Sequence, residues 1–127
     1  MSKCKLKDMF DLRKSFIQRI QIERPGSYPV PVPLENLSEK RSQQVCRDLA
    51  LRGVEEMFEA LQHLKNWKPH KITEDKEFNK EEFLEEIVDV FNYFMALLIV
   101  VDVDEEKLFK AYLKKDKKIR KRLDEGY

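Results

Sequence analysis

The chain has 127 residues, 42% apolar and 39% charged, a mix that suits one globular domain with a heavily charged surface and excludes a disordered chain. A net charge of +1 excludes a global field that would draw the chain to nucleic acid or a membrane. The two cysteines, Cys4 and Cys46, form neither a disulfide framework nor a zinc signature, and point to a reduced, cytoplasmic protein.

The residues from Met1 to Asp8 lack the apolar core of a secretory signal peptide. The first predicted element is a helix from Lys5 to Ile22, with Met9, Leu12, Phe16 and Ile20 at helical spacing and Phe10 and Phe16 expected in the core. Four prolines between Arg24 and Pro33 forbid a helix there and favour an extended strap. Ser38, followed by Glu39, reads as the N-cap of a second helix. Its apolar stripe is Val45, Leu49, Val54, Met57, Leu61 and Leu64, and Pro69 bars its extension. A polar loop spans Trp67 to Phe78. Asn79 with Glu82 resembles a capping box and opens a third helix. That helix is apolar on most sides beyond Asp89, so it should be the central one, with Phe94 in the core. Its apolar run from Tyr93 to Val101 is far short of the roughly 20 residues that span a bilayer. Asp102-Val-Asp104 ends it, and a fourth helix follows from about Glu105, with Leu108, Tyr112, Ile119 and Leu123 on one face. Only three glycines argue against a sheet rich in tight turns. The expected fold is all-α, a four-helix bundle.

Charge is uneven along this plan. Positions 74–89 carry eight acids, and positions 107–122 carry nine Lys or Arg against Asp116 alone. The second helix holds Glu55-Glu56-Met57-Phe58-Glu59 and the third holds Glu85-Glu86-Ile87-Val88-Asp89. The pairs Glu56/Glu59 and Glu86/Asp89 are each three residues apart, so each pair shares a helix face. These faces also carry apolar residues, so packing would bring the four carboxylates together. Unpaired anions repel and are costly to bury. A hard divalent cation such as Mg2+ removes that cost and leaves room for water and phosphate oxygens. The alternative is a solvated acidic surface. A di-iron bundle needs Glu-x-x-His pairs, and neither His63 nor His70 follows a Glu at that spacing.

The combined pattern resembles the all-α nucleoside triphosphate pyrophosphatases, the superfamily of the MazG-like proteins and dimeric dUTPases. Besides the two acidic motifs it rests on Leu64-Lys-Asn-Trp-Lys-Pro69, on Glu85 to Phe94, and on Tyr112, Lys115, Arg122, Gly126 and Tyr127 near the end. The last three segments look like the dUTPase and dCTPase/dUTPase branch. The resemblance implies Glu56, Glu59, Glu86 and Asp89 as magnesium ligands, with Glu55 or a ligand carboxylate such as Glu56 positioning the attacking water. It implies hydrolysis of dUTP, or of dCTP or another nucleotide, to the monophosphate and pyrophosphate, by a homodimer or homotetramer. It favours Lys115 and Arg122, beside Tyr112, as a triphosphate clamp rather than a solvated basic helix. Lys65 and Lys68 are either phosphate contacts or ordinary helix-end charge. Trp67 and Tyr93 suit base stacking or core packing, and Asn92 suits a base or sugar edge or a satisfied buried amide. His63 and His70 read as exposed. Arg13 stands where that branch often has Gln reading the base, and Asn92 where it often has His, which leaves the base open. A non-catalytic helical interaction module is the rival reading.

Overall fold

Capping and proline chemistry divide the chain into four helices in a computed structural model that describes residues 3–28, 32–72 and 77–126. They are α1 (Lys5–Glu23), α2 (Lys40–Leu61), α3 (Lys80–Val100) and α4 (Glu105–Asp124), with no strand among the described residues. No helix among these residues is long and apolar enough to cross a membrane. Pro29, Val30 and Pro31 of the expected strap, residues 73–76 of the expected loop, and Tyr127 lie outside the described residues.

The helix ends follow local chemistry. The Lys7 N–H donates to Cys4 Sγ at 3.4 Å. At the other end of α1, Pro25 follows the C-cap Arg24 and disfavours helical backbone there. The α2 start differs from expectation. Glu39, not Ser38, is the N-cap, because Asn36 Oδ1 accepts the Ser38 N–H at 3.0 Å and holds it in the preceding turn. Asn79 caps α3 as expected, accepting the Glu82 N–H at 3.1 Å. Asp104 caps α4, accepting the Lys107 N–H at 2.9 Å. Between them Asp102 takes a left-handed φ of 61°, a conformation a short polar side chain tolerates. There the chain turns away from α3.

The helices pack as a bundle with α3 central, touching both α1 and α2, while α4 approaches only α1 and buries none of its residues. Helices α2 and α3 run antiparallel. Val45 and Leu49 meet Ala96 and Val100 at one end, joined by Ile17 and Leu34 in the core. The Leu34 N–H donates to the Val100 carbonyl at 2.8 Å, which ties the strap to the end of α3.

Two expected stripes are rotated. On α1 the buried residues are Phe10 and Ile17, while Met9, Leu12 and Phe16 are exposed. On α2 the buried line is Ser42, Val45, Leu49, Gly53 and Ala60, while Val54, Met57, Leu61 and, beyond the helix, Leu64 are exposed. Small residues decide the α2 seam. A Cβ at Gly53 would stand 2.8 Å from Phe94 Cε1, so glycine allows a close approach that a more apolar face would prevent. Phe94 itself stays 39% exposed, its ring edge resting on that glycine.

Gly53→Val should destabilise the fold by about 1–3 kcal/mol through overpacking against Phe94. Urea or thermal denaturation measures this, and unchanged stability would refute the close seam.

Candidate functional site

The α2–α3 seam continues past Gly53 into charge. Glu56 falls between Gly53 and Ala60 on the buried line of α2, and Glu86 precedes Val90 by one turn on that of α3. Antiparallel packing therefore brings carboxylates from the late part of α2 and the early part of α3 to the same level. One oxygen each of Glu56, Glu86 and Asp89 lie within 4.8 Å of one another. Glu56 and Glu86 are half-buried, and Asp89 is exposed. Glu59 stands beside Glu56, outside the mutual group of three. Glu55 is exposed, since one residue along a helix turns the side chain about 100° away.

These surroundings act on Glu56. Burial pushes its carboxyl above the ordinary value, and the adjacent Glu59 carboxyl, then Asp89 and Glu86, push it further. His63 Nε2 comes within 4.0 Å of Glu86 Oε1 and is half-buried rather than exposed. Its position, seven residues after Glu56 and four after Glu59, places it on the same face, and that spacing was the signal for it.

A cavity of about 630 Å³ opens beside the carboxylates between α1, α2 and α3, within the range of small-molecule sites. Glu56 and Asp89 form part of its wall, and so do the expected Asn92 and Tyr93, which follow Asp89 along α3. Arg13, Arg41 and Arg52 add cations to the wall, and Tyr28 adds a phenol. Arg52 Nε also pairs with Asp48 Oδ2 at 3.0 Å. Burial pushes the Tyr28 phenol up, against the pull of Arg13 and Arg52. Arg41, Asp48, Arg52 and Glu56 are spaced seven, four and four residues apart, a charged row along one helix face. That row was readable in the sequence, but the acidic motif alone was singled out.

The other expected contacts lie elsewhere in a single chain. Lys65, Trp67 and Lys68 are exposed after α2, with Lys68 Nζ 5.4 Å from the Trp67 ring centroid, and none lines the cavity. Tyr112, Lys115 and Arg122 are exposed on α4. That helix leans on α1 after the Asp102 turn, so the fold of one chain does not bring them to the carboxylates.

Three carboxylate donors and no soft ligand suit a hard cation. With metal–oxygen distances of roughly 2.1 Å in an octahedral shell, adjacent ligands of magnesium are about 3 Å apart and opposite ones about 4.2 Å. Oxygens within 4.8 Å would therefore draw together by side-chain rotation to share one ion.

The raised Glu56 carboxyl sets a pH dependence. Because its folded pKa exceeds the ordinary 4.5, the fold binds more protons, and this contribution to stability declines as pH rises from 4.5 through the raised value. In chelator-treated protein, Glu56→Gln should remove that decline and raise stability near neutral pH by up to about 1 kcal/mol. Melting curves of both proteins across pH 4–8 check it, and parallel profiles would contradict it. No protein-family model, no curated protein and no solved structure matches the chain, so the reading of the site rests on its own residues.

Proposed function

We propose that the chain is a magnesium-dependent nucleoside triphosphate pyrophosphohydrolase of the all-α type, converting a nucleotide and water to the monophosphate and pyrophosphate. The observation that carries this reading is the convergence of Glu56, Glu86 and Asp89, two of which, Glu56 and Asp89, line a nucleotide-sized cavity that also holds three arginines. Acids alone would mark a solvated surface. Acids beside arginines in a concave site suit a metal–phosphate ligand, whose cation and anion need opposite partners.

Glu56, Glu86 and Asp89 would hold the ion, and His63 steadies Glu86 from outside the group. Bound there, magnesium would supply positive charge to phosphate oxygens and to the departing pyrophosphate. The chain's residues do the rest. Arg41 and Arg52 would face phosphate oxygens along α2. Glu59, beside Glu56, would accept a proton from the attacking water as its oxygen bonds to phosphorus and the P–O bond to pyrophosphate breaks. Asn92 and Tyr93 would lie along the nucleoside. The resemblance points to dUTP or dCTP as substrate.

A homodimer or homotetramer belongs to the same reading. One chain of 15.3 kDa exposes 10801 Å², against about 7,100 Å² for a folded monomer of that mass. Large apolar side chains contribute to it: Phe58 on α2, Val88 and Phe91 on α3, and Phe109, Tyr112 and Leu123 on α4 are all exposed. Association that covers these faces would place Lys115 and Arg122 of α4 against another copy's surface. Light scattering after gel filtration should give two or four times 15.3 kDa, and a monomer at micromolar concentration would reject the oligomer.

The activity is tested by incubating purified protein with magnesium and each common (deoxy)nucleoside triphosphate. Pyrophosphate release should follow for at least one, disappear with chelator, and fall at least 100-fold in Glu86→Gln and Asp89→Asn. Absence of pyrophosphate from every nucleotide would reject the enzyme.

A further inference from the structure

Helix α4 is strongly charged, and its apolar side stays uncovered. Residues 107–122 carry +8 in a chain whose net charge is +1, so the rest of the chain carries −7. At 100° per residue, Leu108, Phe109, Tyr112, Leu113, Ile119 and Leu123 fall within one arc of about 140°. Every Lys and Arg between 107 and 122 lies outside that arc except Arg120, which pairs with Asp116 at 2.8 Å. Apart from the half-buried Leu108, the apolar arc is exposed, and α4 buries no residue. The arc is edged by Lys110 and Lys117 on one side and by Lys115 and Arg122 on the other. These four cations form no ion pair among the described residues.

A second uncovered face lies on the α2–α3 pair. The cavity wall uses Asp48, Arg52 and Glu56 of α2 and Asp89, Tyr93 and Ala96 of α3. Val54, Phe58 and Leu61 of α2 and Leu84, Val88 and Phe91 of α3 turn to the opposite side, and all six are exposed. Glu55, Glu81 and Glu85 rim this face, are exposed, and also form no ion pair among the described residues.

We propose that α4 of one copy lies along the apolar groove between α2 and α3 of a second copy, with its edge cations against the acidic rim. The two faces match in both properties, an apolar stripe on each and edges of opposite sign. They match in length too, since α4 has 20 residues and α3 has 21. The surface in excess of a compact monomer is more than the roughly 800 Å² per partner that a stable interface buries. An anionic lipid surface also suits a basic amphipathic helix. It would leave the α2–α3 face uncovered, however, and would repel the −7 remainder of the chain. A second copy covers both faces at once, and the contact closes as a two-fold pair or a ring when each chain gives one α4 and receives one. The inference deepens the oligomer of the reading above and rests on that reading for association alone, not for activity.

Two charge-reversed full-length chains test it. One carries Lys110→Glu, Lys115→Glu, Lys117→Glu and Arg122→Glu, and the other carries Glu55→Lys, Glu81→Lys and Glu85→Lys. Sedimentation equilibrium should show each alone associating about ten-fold more weakly than the unaltered chain, because α4 and rim then share one sign. An equimolar mixture should recover the unaltered affinity, since each variant's α4 then meets a rim of opposite sign on the other. Circular dichroism checks that both are folded. Should either fail to fold, the unaltered chain decides the matter: raising salt from about 0.05 to about 0.5 M should weaken its association about ten-fold by screening. An oligomer indifferent to both reversals or to salt, a mixture that recovers nothing, or a monomer overturns the inference. So does a chain that stays monomeric and floats with phosphatidylserine vesicles. An indifferent oligomer would remove this contact and leave the oligomer standing, a monomer would remove both, and pyrophosphate release judges the enzyme separately.

Discussion

Everything near the site depends on three carboxylates that cannot comfortably share the place the fold gives them. Glu56, Glu86 and Asp89 approach within 4.8 Å at the end of a helix seam, and like charges at that separation repel appreciably even in a partly hydrated setting. A fold driven only by burial would place apolar residues there. The seam instead changes character along its length, from Val45, Leu49, Ala96 and Val100 in the core to Gly53 against Phe94 and then to acid. Core packing at one end fixes the helices, and their rigidity holds the acids together at the other. Preorganisation of this kind is what a ligand-binding site requires, because side chains on packed helices are placed more accurately than those on loops.

The same seam explains which parts of the fold were legible. Helix number, order and most ends followed from prolines, caps and 3.6-residue spacing, because those signals act within a few residues. Asn79 and Asp104 capped their helices where a short polar side chain could reach the third N–H beyond. Ser38 did not, because Asn36, two residues earlier, captured its N–H first. The buried faces of α1 and α2 were less legible. Counting apolar residues favoured lines through Met9, Leu12 and Phe16 and through Val54, Met57 and Leu61, whereas packing chose Phe10 and Ile17 and the row through Gly53 and Ala60. How closely two helices can approach is a property of the pair, and neither helix's own pattern states it.

The acidic cluster was readable because its spacing repeats in two helices whose packing faces must meet. Arg41 and Arg52 were missed, although they sit on the helix that carries Glu56, because a charged row on a surface helix usually marks solvation. Only the third wall, supplied by α1 and Tyr28, makes that row line a cavity. Lys115 and Arg122 on α4 were read as a phosphate clamp from the resemblance, whereas their residue types alone favour a solvated basic helix. Neither signal encodes the left-handed turn at Asp102, after which α4 packs on α1 and not on the α2–α3 pair that carries the acids.

Two separable mechanical tasks result. The carboxylates belong to the α2–α3 pair, whose spacing is set by glycine and alanine and withstands little change in side-chain volume. Arg13 belongs to α1, which packs closely on α3 and shares a core with α2 through Ile17, so a substitution at Arg13 alters the cavity wall while the Gly53 seam between α2 and α3 stays in place. A wall residue can thus be exchanged for one with a different hydrogen-bonding pattern while the acids keep their geometry.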